Sequence, residues 1–205
     1  MIVKRTVDVV GSAVLLVLLS PVLVLIACAV RLRMGRPILF AQERPGWKEQ
    51  PFMMLKFRTM ADHRDGRGGV LADRDRLSPL GLRLRSWSLD ELPQLLNIFV
   101  GHMSFIGPRP LLTRYSRFLS DEERLRFRMR PGVTGWAQVN GRNTTSWDER
   151  LACDVWYVRN WSLTLDLQIA LKTVGVIVTR NGFVADPEAR MANLDVERGM
   201  VRPNP

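Results

Sequence analysis

The sequence has few of the residues from which zinc sites and disulfide frameworks are built. Among its 205 residues there are two cysteines, Cys28 and Cys153, and two histidines, His63 and His102. The cysteines lie far apart and form no Cys-x-x-Cys pair, so neither a zinc finger nor a disulfide scaffold is expected. The sequence also contains no Gly-x-Ser-x-Gly elbow, no Gly-x-x-x-x-Gly-Lys phosphate loop and no Gly-x-Gly-x-x-Gly fingerprint. Any chemistry must therefore rest on other motifs.

Lysine is scarce as well, although the chain is strongly basic. Thirty basic residues against twenty acidic ones give a formal net charge of +10, and only four of the basic residues are lysines. The excess of arginine has two explanations: a base-composition bias of the genome, or phosphate recognition, because a guanidinium binds phosphate in a bidentate manner and stays protonated. A basic surface suits nucleic acid, anionic lipid and phosphorylated substrates equally, so charge alone does not identify the partner.

The composition predicts a globular body. A hydrophobic fraction of 46% and a charged fraction of 24% exclude a disordered chain and a polytopic membrane protein. The length is enough for one ordinary domain, or for a domain with an appendage.

One long hydrophobic run lies near the start of the chain. Residues 9–30 contain no charged side chain. As a straight helix they would extend ~33 Å, close to the ~30 Å thickness of the bilayer hydrocarbon. Ser20-Pro21 falls in the middle of the run, where a proline bends or breaks a helix. The basic residues that flank the run are Lys4, Arg5, Arg31, Arg33 and Arg36. Basic flanks favour the cytoplasmic side, so both ends favour the same side of the membrane.

Three arrangements of this run stay open on the residues alone. A re-entrant hairpin would keep both basic flanks on one side, whereas a proline-kinked helix would span the bilayer. The third is export as a lipoprotein, because Leu25-Ile26-Ala27-Cys28 is typical of a lipoprotein signal. The arginines that follow Cys28 oppose translocation, so export is the least favoured of the three.

The rest of the chain predicts a small β-hairpin and several helices. Two apolar runs, residues 37–41 and 52–57, flank the turn sequence Arg44-Pro45-Gly46-Trp47, and the polar residues 61–76 predict a loop. Capping boxes and helical periodicity predict three helices, and the segment after them has no periodicity and is expected to be a tail. The helices cover residues 120–131, 146–160 and 163–180, and the tail covers residues 186–205. The predicted fold class is α+β, mainly helical with a small β-hairpin.

Several aromatic residues cluster between residues 136 and 161. They are Trp136, Trp147, Trp156, Tyr157 and Trp161. The edge of a packed core is the commoner reason for such a cluster. A belt of aromatic rings at the lipid headgroups is the alternative.

Two adjacent carboxylates stand out in the middle of the chain. Asp90 and Glu91 follow Arg83 and Arg85 and precede an apolar helical pattern. As structural residues they would be acids in the first turn of a helix, with either Ser88 or Asp90 as its N-cap. As functional residues, one carboxylate would attack a phosphoryl group while its neighbour helps to hold Mg²⁺. On the residues alone, the structural explanation is the commoner one.

Positive charge around such a transfer would stabilise the phosphoryl oxygens. The arginines that could supply it are Arg83, Arg85, Arg109 and Arg142. Gly107-Pro108-Arg109-Pro110 is either a rigid turn or a preorganised phosphate clamp, because both flanking prolines restrict the backbone. Residues 131–143 are either a turn-rich connection or a loop whose Trp, Gln, Asn and Arg side chains recognise a nucleotide.

Several of these features follow one another in a definite order. They are the Ser20-Pro21 break and the segments at residues 56–60, 88–95, 103–110 and 131–143. Together they resemble the small monotopic phosphoglycosyl transferases, the bacterial sugar transferase family, over about residues 1–182. Gly101-His102-Met103 departs from the family pattern, which more usually has an acidic residue after this glycine. The departure puts the local metal or loop geometry in question.

The resemblance implies an enzyme that moves sugar 1-phosphate from a UDP-sugar to polyprenyl (undecaprenyl) phosphate and releases UMP. This is the first membrane step in the biosynthesis of bacterial exopolysaccharides and other glycoconjugates. Asp90 would be the nucleophile that forms a covalent aspartyl-phosphosugar intermediate, and Glu91 would be its Mg²⁺-linked partner. Both carboxylates therefore belong to the implied metal site. The implied substrate-binding residues are Lys56, Arg58, Arg85, Arg109 and Arg142.

The resemblance also implies a location and a domain plan. Ser20 and Pro21 would form the bend of a re-entrant, monotopic helix at the cytoplasmic face of the bacterial inner membrane, accompanied by amphipathic interfacial helices. Residues 1–36 would be the anchor, residues 37–185 the catalytic domain and residues 186–205 the tail. Membrane lipids are the implied surroundings, with a homo-oligomer or downstream glycosyltransferases as protein partners and no nucleic acid.

Two other classes of function compete with this one. A membrane-tethered scaffold of a glycan assembly complex would have the same anchor, basic surface and tail but no chemistry of its own. A basic nucleic-acid binder is disfavoured by the apolar anchor and by the lack of any recognised binding module.

Overall fold

The chain is mainly helical with a small antiparallel strand pair, as the sequence predicts. The computed structural model describes residues 1–60, 76–140, 146–179 and 193–199. The helices are α1 (Ile2–Leu18), α2 (Ser20–Met34), α3 (Pro79–Ser86), α4 (Gln94–Val100), α5 (Trp136–Asn140), α6 (Trp147–Arg159), α7 (Leu163–Thr179) and α8 (Leu194–Gly199). The strands are β1 (Leu39–Pro45), β2 (Pro51–Phe57), β3 (Ser104–Ile106) and β4 (Gly132–Thr134). The loop predicted at residues 61–76 lies, apart from Arg76, outside the described residues.

The predicted break in the hydrophobic run is confirmed. Helices α1 and α2 meet at Leu19 and are bent by 64°. The Ser20 hydroxyl donates a hydrogen bond to the Val17 carbonyl at 2.8 Å, and Pro21 lies in the first turn of α2, where a missing backbone donor costs nothing. Within the described part of the chain, no single helix is long and apolar enough to cross a membrane. Among the described helices, only the bent pair has sufficient length and a suitable composition, either as a broken span or as a re-entrant loop.

Helix α1 has an inverted distribution of polar and apolar residues. Its buried residues are Lys4, Asp8 and Ser12. Its exposed residues include Val7, Val10, Val14 and Val17. In water an amphipathic helix buries its apolar stripe, so this arrangement favours an apolar environment around the outer face of α1.

Buried polar contacts fasten α1 to the rest of the protein. The Lys4 ammonium donates to the Asp166 carboxylate on α7 at 2.6 Å. Tyr157 and Trp161 donate to the same carboxylate at 2.6 and 3.1 Å, respectively. On the next turn of α1, Asp8 accepts hydrogen bonds from the Ser104 hydroxyl and the Phe105 amide at 3.0 and 3.1 Å. The start of α1 is therefore fixed to β3 and α7.

We expect replacement of Asp166 by Ala to destabilise the protein strongly. The change leaves the buried Lys4 ammonium without its carboxylate, and breaking a buried ion pair in this way costs about 3–5 kcal/mol. The melting temperature in detergent micelles should fall by about 10 °C. Glu122→Ala is the control, because its ion pair with Arg159 is exposed and worth less than about 1 kcal/mol. Equal melting temperatures for the two variants would contradict this role of Asp166.

The predicted hairpin forms, with different strand bounds. Strands β1 and β2 pair antiparallel from Leu39 opposite Phe57 to Pro45 opposite Pro51. The first strand therefore starts two residues later and continues four residues further than the apolar run suggested. Pro45 is tolerated because it lies at the end of the ladder, where a missing amide breaks no central hydrogen bond.

The predicted helices agree with the structure to different degrees. The Ser146 and Glu149 capping box forms and opens α6, and the helix predicted at residues 163–180 is α7. The Ser120 and Glu123 box also forms, at 2.7 and 3.3 Å, but the helix behind it is a 3₁₀ helix, Glu123–Arg128, that ends before Pro131. The helix predicted at residues 120–131 is therefore present, but it is shorter than predicted and of the 3₁₀ type.

Part of the segment predicted as a tail is ordered. Residues Leu194–Gly199 form α8, and the Leu194 side chain is fully buried. Asn193 accepts a hydrogen bond from the Tyr115 hydroxyl at 2.5 Å, and Arg198 pairs with Glu123 at 2.6 Å. Six residues are too few to show helical periodicity in the sequence. The helix is recognised only from its packing against the rest of the protein. The domain bounds themselves stay predictions.

The aromatic cluster is divided between core and surface. Tyr157 is buried in a hydrophobic cluster with Ile106, Met129, Leu165 and Ile169. Trp156, the next residue back along α6, is 42% exposed and its ring stacks on that of Trp136 with 4.6 Å between centroids. The buried Tyr157 therefore fits the explanation of a core edge, and the exposed Trp156 is compatible with an interfacial belt.

Candidate active site

The two carboxylates lie in a tight turn between α3 and α4. Ser88 has a left-handed backbone conformation with φ of 54°, and Leu89–Glu91 form a 3₁₀ turn. Helix α4 begins only after Pro93, and Ser88 makes no capping hydrogen bond. The prediction that Ser88 or Asp90 caps this helix is therefore wrong. The turn buries Asp90, which is 7% exposed.

Glu91 is held by two cations from different parts of the chain. Its Oε1 atom accepts a hydrogen bond from Lys56 Nζ at 2.6 Å and another from Arg109 Nη2 at 3.0 Å. Burial alone would raise the pKa of Glu91, but the charges of Arg109 and Lys56 and the hydrogen bonds they donate outweigh burial and lower the pKa to about 2. Glu91 therefore stays ionised throughout the physiological range.

Asp90 differs from its neighbour, because its carboxylate accepts no hydrogen bond from the part of the chain that the structure describes. Burial raises its pKa above the ordinary value, and Glu91 adds to this effect. The cations Lys56, Arg85 and Arg109 oppose it. Asp90 is therefore a buried carboxylate that accepts no hydrogen bond from the described residues and that nearby cations help to keep ionised, which leaves its oxygens free to react.

Strand β2 brings Lys56 to the dyad, and Asn97 fixes this strand against α4. The Asn97 carboxamide accepts a hydrogen bond from the Leu55 amide at 3.0 Å and donates one to the Met53 carbonyl at 2.8 Å. Sequence reasoning did not select Asn97. The feature that could have identified it is a polar residue within the apolar pattern of α4. The side chain of Asn97 is buried.

Strands β3 and β4 position the loop that carries Arg109. They pair in parallel, and the Gly107 amide donates to the Thr134 carbonyl at 2.9 Å. A Cβ atom on Gly107 would lie 2.3 Å from the Arg130 carbonyl oxygen, so only glycine fits there. This close approach to the chain before β4 therefore holds the start of the loop that carries Arg109.

A buried ion pair between Arg126 and Asp154 also holds the loop that carries Arg109. The Arg126 guanidinium donates to the Arg109 carbonyl at 2.5 Å and to the Asp154 carboxylate of α6 at 2.7 Å. Both Arg126 and Asp154 are at least nine-tenths buried. Sequence reasoning missed this pair, since neither residue belongs to a recognisable motif.

The other predicted substrate-binding residues have different surroundings. Arg85 donates to the Thr59 hydroxyl at 3.1 Å and lowers the pKa of Asp90, so it lies beside the dyad. Arg58 is 8% exposed and donates to the carbonyls of Met34, Arg36 and Met60. It therefore anchors the end of α2, and its contact with substrate stays a prediction. Arg83 lies on the exposed side of α3. Arg142 lies outside the described residues.

The dyad offers the type of ligands that Mg²⁺ prefers. Over the described ranges, no group of three or more His, Cys, Asp or Glu side chains could hold a metal ion. Mg²⁺ is commonly bound by only one or two carboxylates, with substrate phosphates and water completing its octahedron. The carboxylate of Asp90, which accepts no hydrogen bond from the described residues, and the ionised carboxylate of Glu91 fit that pattern. These two residues would therefore hold the ion.

Comparison with known proteins identifies the same family as the series of sequence motifs. A family model described as bacterial sugar transferase matches residues 1–180. An uncharacterized sugar transferase of Bacillus subtilis, EpsL, is 45% identical over 183 residues, which cover 89% of this chain and 91% of that protein. The exopolysaccharide production protein ExoY of Rhizobium meliloti is 38% identical over 199 residues, with 87% of each chain covered.

A third relative has a more specific name. The UDP-glucose:undecaprenyl-phosphate glucose-1-phosphate transferase of Caulobacter vibrioides is 44% identical over 186 residues, 86% of this chain and 70% of that protein. The family model, which matches residues 1–180, includes the bent helix pair, the hairpin and the dyad. The enzyme class implied by the motifs is thereby confirmed, and the chain belongs to the bacterial sugar transferase family.

Proposed function

We propose that this chain transfers sugar 1-phosphate from a UDP-sugar to undecaprenyl phosphate and releases UMP, with a covalent intermediate on Asp90. The observation that carries the proposal is the contrast between the two carboxylates. Glu91 is neutralised by Lys56 and Arg109, whereas Asp90 is buried and has no hydrogen-bond donor in the described part of the chain. The name of the Caulobacter vibrioides relative supports the same donor and acceptor classes.

In the first step, an Asp90 carboxylate oxygen attacks the phosphorus that carries the sugar. A new P–O bond forms to Asp90 while the P–O bond to the UMP phosphate breaks, and UMP leaves with that electron pair. Asp90 has become a mixed anhydride with the sugar phosphate. Lys56, Arg85 and Arg109 surround the carboxylate with positive charge, which stabilises the charge on the phosphoryl oxygens.

In the second step, a phosphate oxygen of the lipid attacks the same phosphorus. The bond between phosphorus and Asp90 breaks, the carboxylate is regenerated, and the product is a polyprenyl diphosphate sugar. Splitting one transfer into two displacements is the usual benefit of nucleophilic catalysis. Bound Mg²⁺ supplies neutralisation of the phosphate charges, and Glu91, which stays ionised, is suited to hold it.

We also propose that α1 and α2 form a re-entrant loop. The outward apolar face of α1, the 64° bend and the basic residues at both ends of the pair support it. Such an anchor would hold Asp90 near the headgroups, where a lipid phosphate meets a soluble nucleotide. Cysteines introduced singly near residues 3 and 35 should be labelled from the same side of the membrane. Labelling from opposite sides would instead indicate a spanning helix.

The reaction itself is tested with a panel of UDP-sugars, undecaprenyl phosphate and Mg²⁺. We expect UMP release that depends on both substrates and a lipid-linked sugar diphosphate as product. Chelation of Mg²⁺ should stop turnover, and added Mg²⁺ should restore it. A membrane-tethered scaffold would release no UMP with any donor, and that outcome would contradict the proposal.

A further inference from the structure

Arg44 contacts the loop that carries Arg109, and the sequence analysis assigned it only to the hairpin turn. It is the penultimate residue of β1 and precedes Pro45 at the hairpin turn. Its Nη2 atom donates to the Gln42 side-chain oxygen at 2.6 Å, and its Nη1 atom lies 3.4 Å from the Pro110 carbonyl. Its Nε atom is buried and makes no hydrogen bond. A guanidinium has five N–H donors, so most of its capacity is unused.

The charge of Arg44 is not compensated within the described part of the protein, where no carboxylate pairs with it. Three other buried or partly buried arginines do pair with carboxylates: Arg126 with Asp154, Arg198 with Glu123, and Arg124 with Glu49. The charged groups nearest to Arg44 include two further arginines, Arg109 and Arg114.

Burial and like charge both act against the protonated form of Arg44. Burial first, and the charge of Arg109 second, lower the pKa of Arg44 to about 10. A guanidinium remains protonated at neutral pH in spite of such a shift. The lowered pKa therefore reports a positive charge that is held at a cost in the free protein, and an anion bound beside it would remove that cost.

The position of Arg44 indicates which anion this is. Arg44 contacts Pro110, the residue next to Arg109, and Arg109 reaches the dyad while half of its side chain is exposed. A UDP-sugar brings two adjacent phosphates to this region. One of them is attacked by Asp90, and the other must gain negative charge as it departs, so it needs a cation of its own.

We propose that Arg44 binds the phosphate that leaves with UMP, and that it does so together with Arg109. This inference rests on the proposed function, because it assigns a role to Arg44 in the same reaction. Each Nη atom donates one hydrogen bond within the protein and keeps a second N–H, and this pair of donors suits two oxygens of one phosphate.

The test compares Arg44→Gln with wild type in two measurements. UMP affinity, measured by calorimetric titration of the full-length protein in detergent, should fall by about 10- to 100-fold, as expected for the loss of charge-assisted hydrogen bonds. The melting temperature without ligand should stay the same or rise, because the repulsion between Arg44 and Arg109 disappears. A merely structural arginine would instead lower the melting temperature on removal. Arg159→Gln is the matched control, since this exposed arginine pairs with Glu122 on the surface and should leave UMP affinity unchanged.

Arg44→Lys keeps the charge and removes the fork. We expect a several-fold loss of UMP affinity and a higher KM for the UDP-sugar, with a melting temperature close to that of wild type. Unchanged UMP affinity in both variants, absence of UMP binding to wild type, or unfolding of both variants would each overturn the assignment. Failure of the wild type to turn over any UDP-sugar would contradict the proposed function instead. In that case, titration with inorganic phosphate would still decide whether Arg44 binds phosphate, with tighter binding to wild type than to Arg44→Gln as the supporting result.

Discussion

Replacement of Asp90 by Asn is expected to lower the rate of sugar-phosphate transfer by about 10⁴-fold or more. Removal of the nucleophile from an enzyme with a covalent mechanism has effects of this size, because no other group can form the intermediate. The change is nearly isosteric, so the turn at Leu89–Glu91 should be preserved. Loss of a buried charge that has no hydrogen-bond donor in the described part of the chain should also leave the melting temperature equal or higher. The measurement is UMP release with a saturating UDP-sugar and undecaprenyl phosphate.

Trapping separates the nucleophile from a residue that only supports the site. Incubation with the UDP-sugar and Mg²⁺, without the lipid acceptor, should add one phosphosugar to the protein, and peptide mass spectrometry should find it on Asp90. Asp121→Asn is the control, because Asp121 is exposed and lies outside the site. If product forms while Asp90 stays unmodified, the sugar phosphate passes directly from donor to acceptor, and the two-step scheme is wrong.

The residues of the dyad could be predicted from the sequence, but their different states could not. Asp90 and Glu91 are adjacent and chemically alike. The difference between them arises because Lys56 comes from β2 and Arg109 comes from the loop after β3, and both reach the same oxygen of Glu91. That convergence depends on the hairpin, on the Asn97 contacts and on the close approach at Gly107. None of these long-range contacts has a local pattern in the sequence.

Helix α7 shows that helical periodicity in the sequence does not predict which face of a helix is buried. Helical spacing of apolar residues predicted a helix at residues 163–180, and the helix is there. The apolar residues Leu163, Leu167, Leu171 and Val174 recur along one of its faces. Those residues are 47 to 66% exposed, whereas Leu165 and Ile169 face the core. Periodicity therefore identifies an apolar face of a helix but does not tell what covers that face. For α1 and α7 the sequence could predict the element, and only the structure could tell which face points inward.

The predictions that differ from the structure concern short elements. The capping box at Ser120 forms as expected, yet it opens a 3₁₀ helix, because a local cap specifies where a helix starts and not how far it continues. At the dyad the left-handed backbone of Ser88 replaces the expected N-cap. A positive φ in a serine is uncommon and is maintained by the surrounding structure, which is why propensity did not predict it.

Arg109→Ala is expected to lower kcat/KM by about 10²- to 10³-fold, the usual cost of removing one group that stabilises transition-state charge. Arg109 is suited to this role because it contacts Glu91 directly at 3.0 Å and also affects Asp90 electrostatically. Arg109→Lys should retain part of the activity, since it keeps the charge but loses the planar fork. The control is Arg117→Ala, an exposed arginine outside the site, which should keep the wild-type rate. A wild-type rate for Arg109→Ala would contradict the role of Arg109.

A double-mutant cycle shows whether Arg109 acts through Glu91. If its main task is to neutralise that carboxylate, then Glu91→Gln removes the need for it, and the loss caused by Arg109→Ala should be smaller in the Glu91→Gln background. Residues in direct contact commonly couple by about 0.5–3 kcal/mol. Equal losses in both backgrounds would show that Arg109 acts on the substrate phosphates independently of Glu91. Lys56 serves as the internal comparison, because it is the other cation on the same oxygen, is only 20% exposed, and should couple to Glu91 at least as strongly.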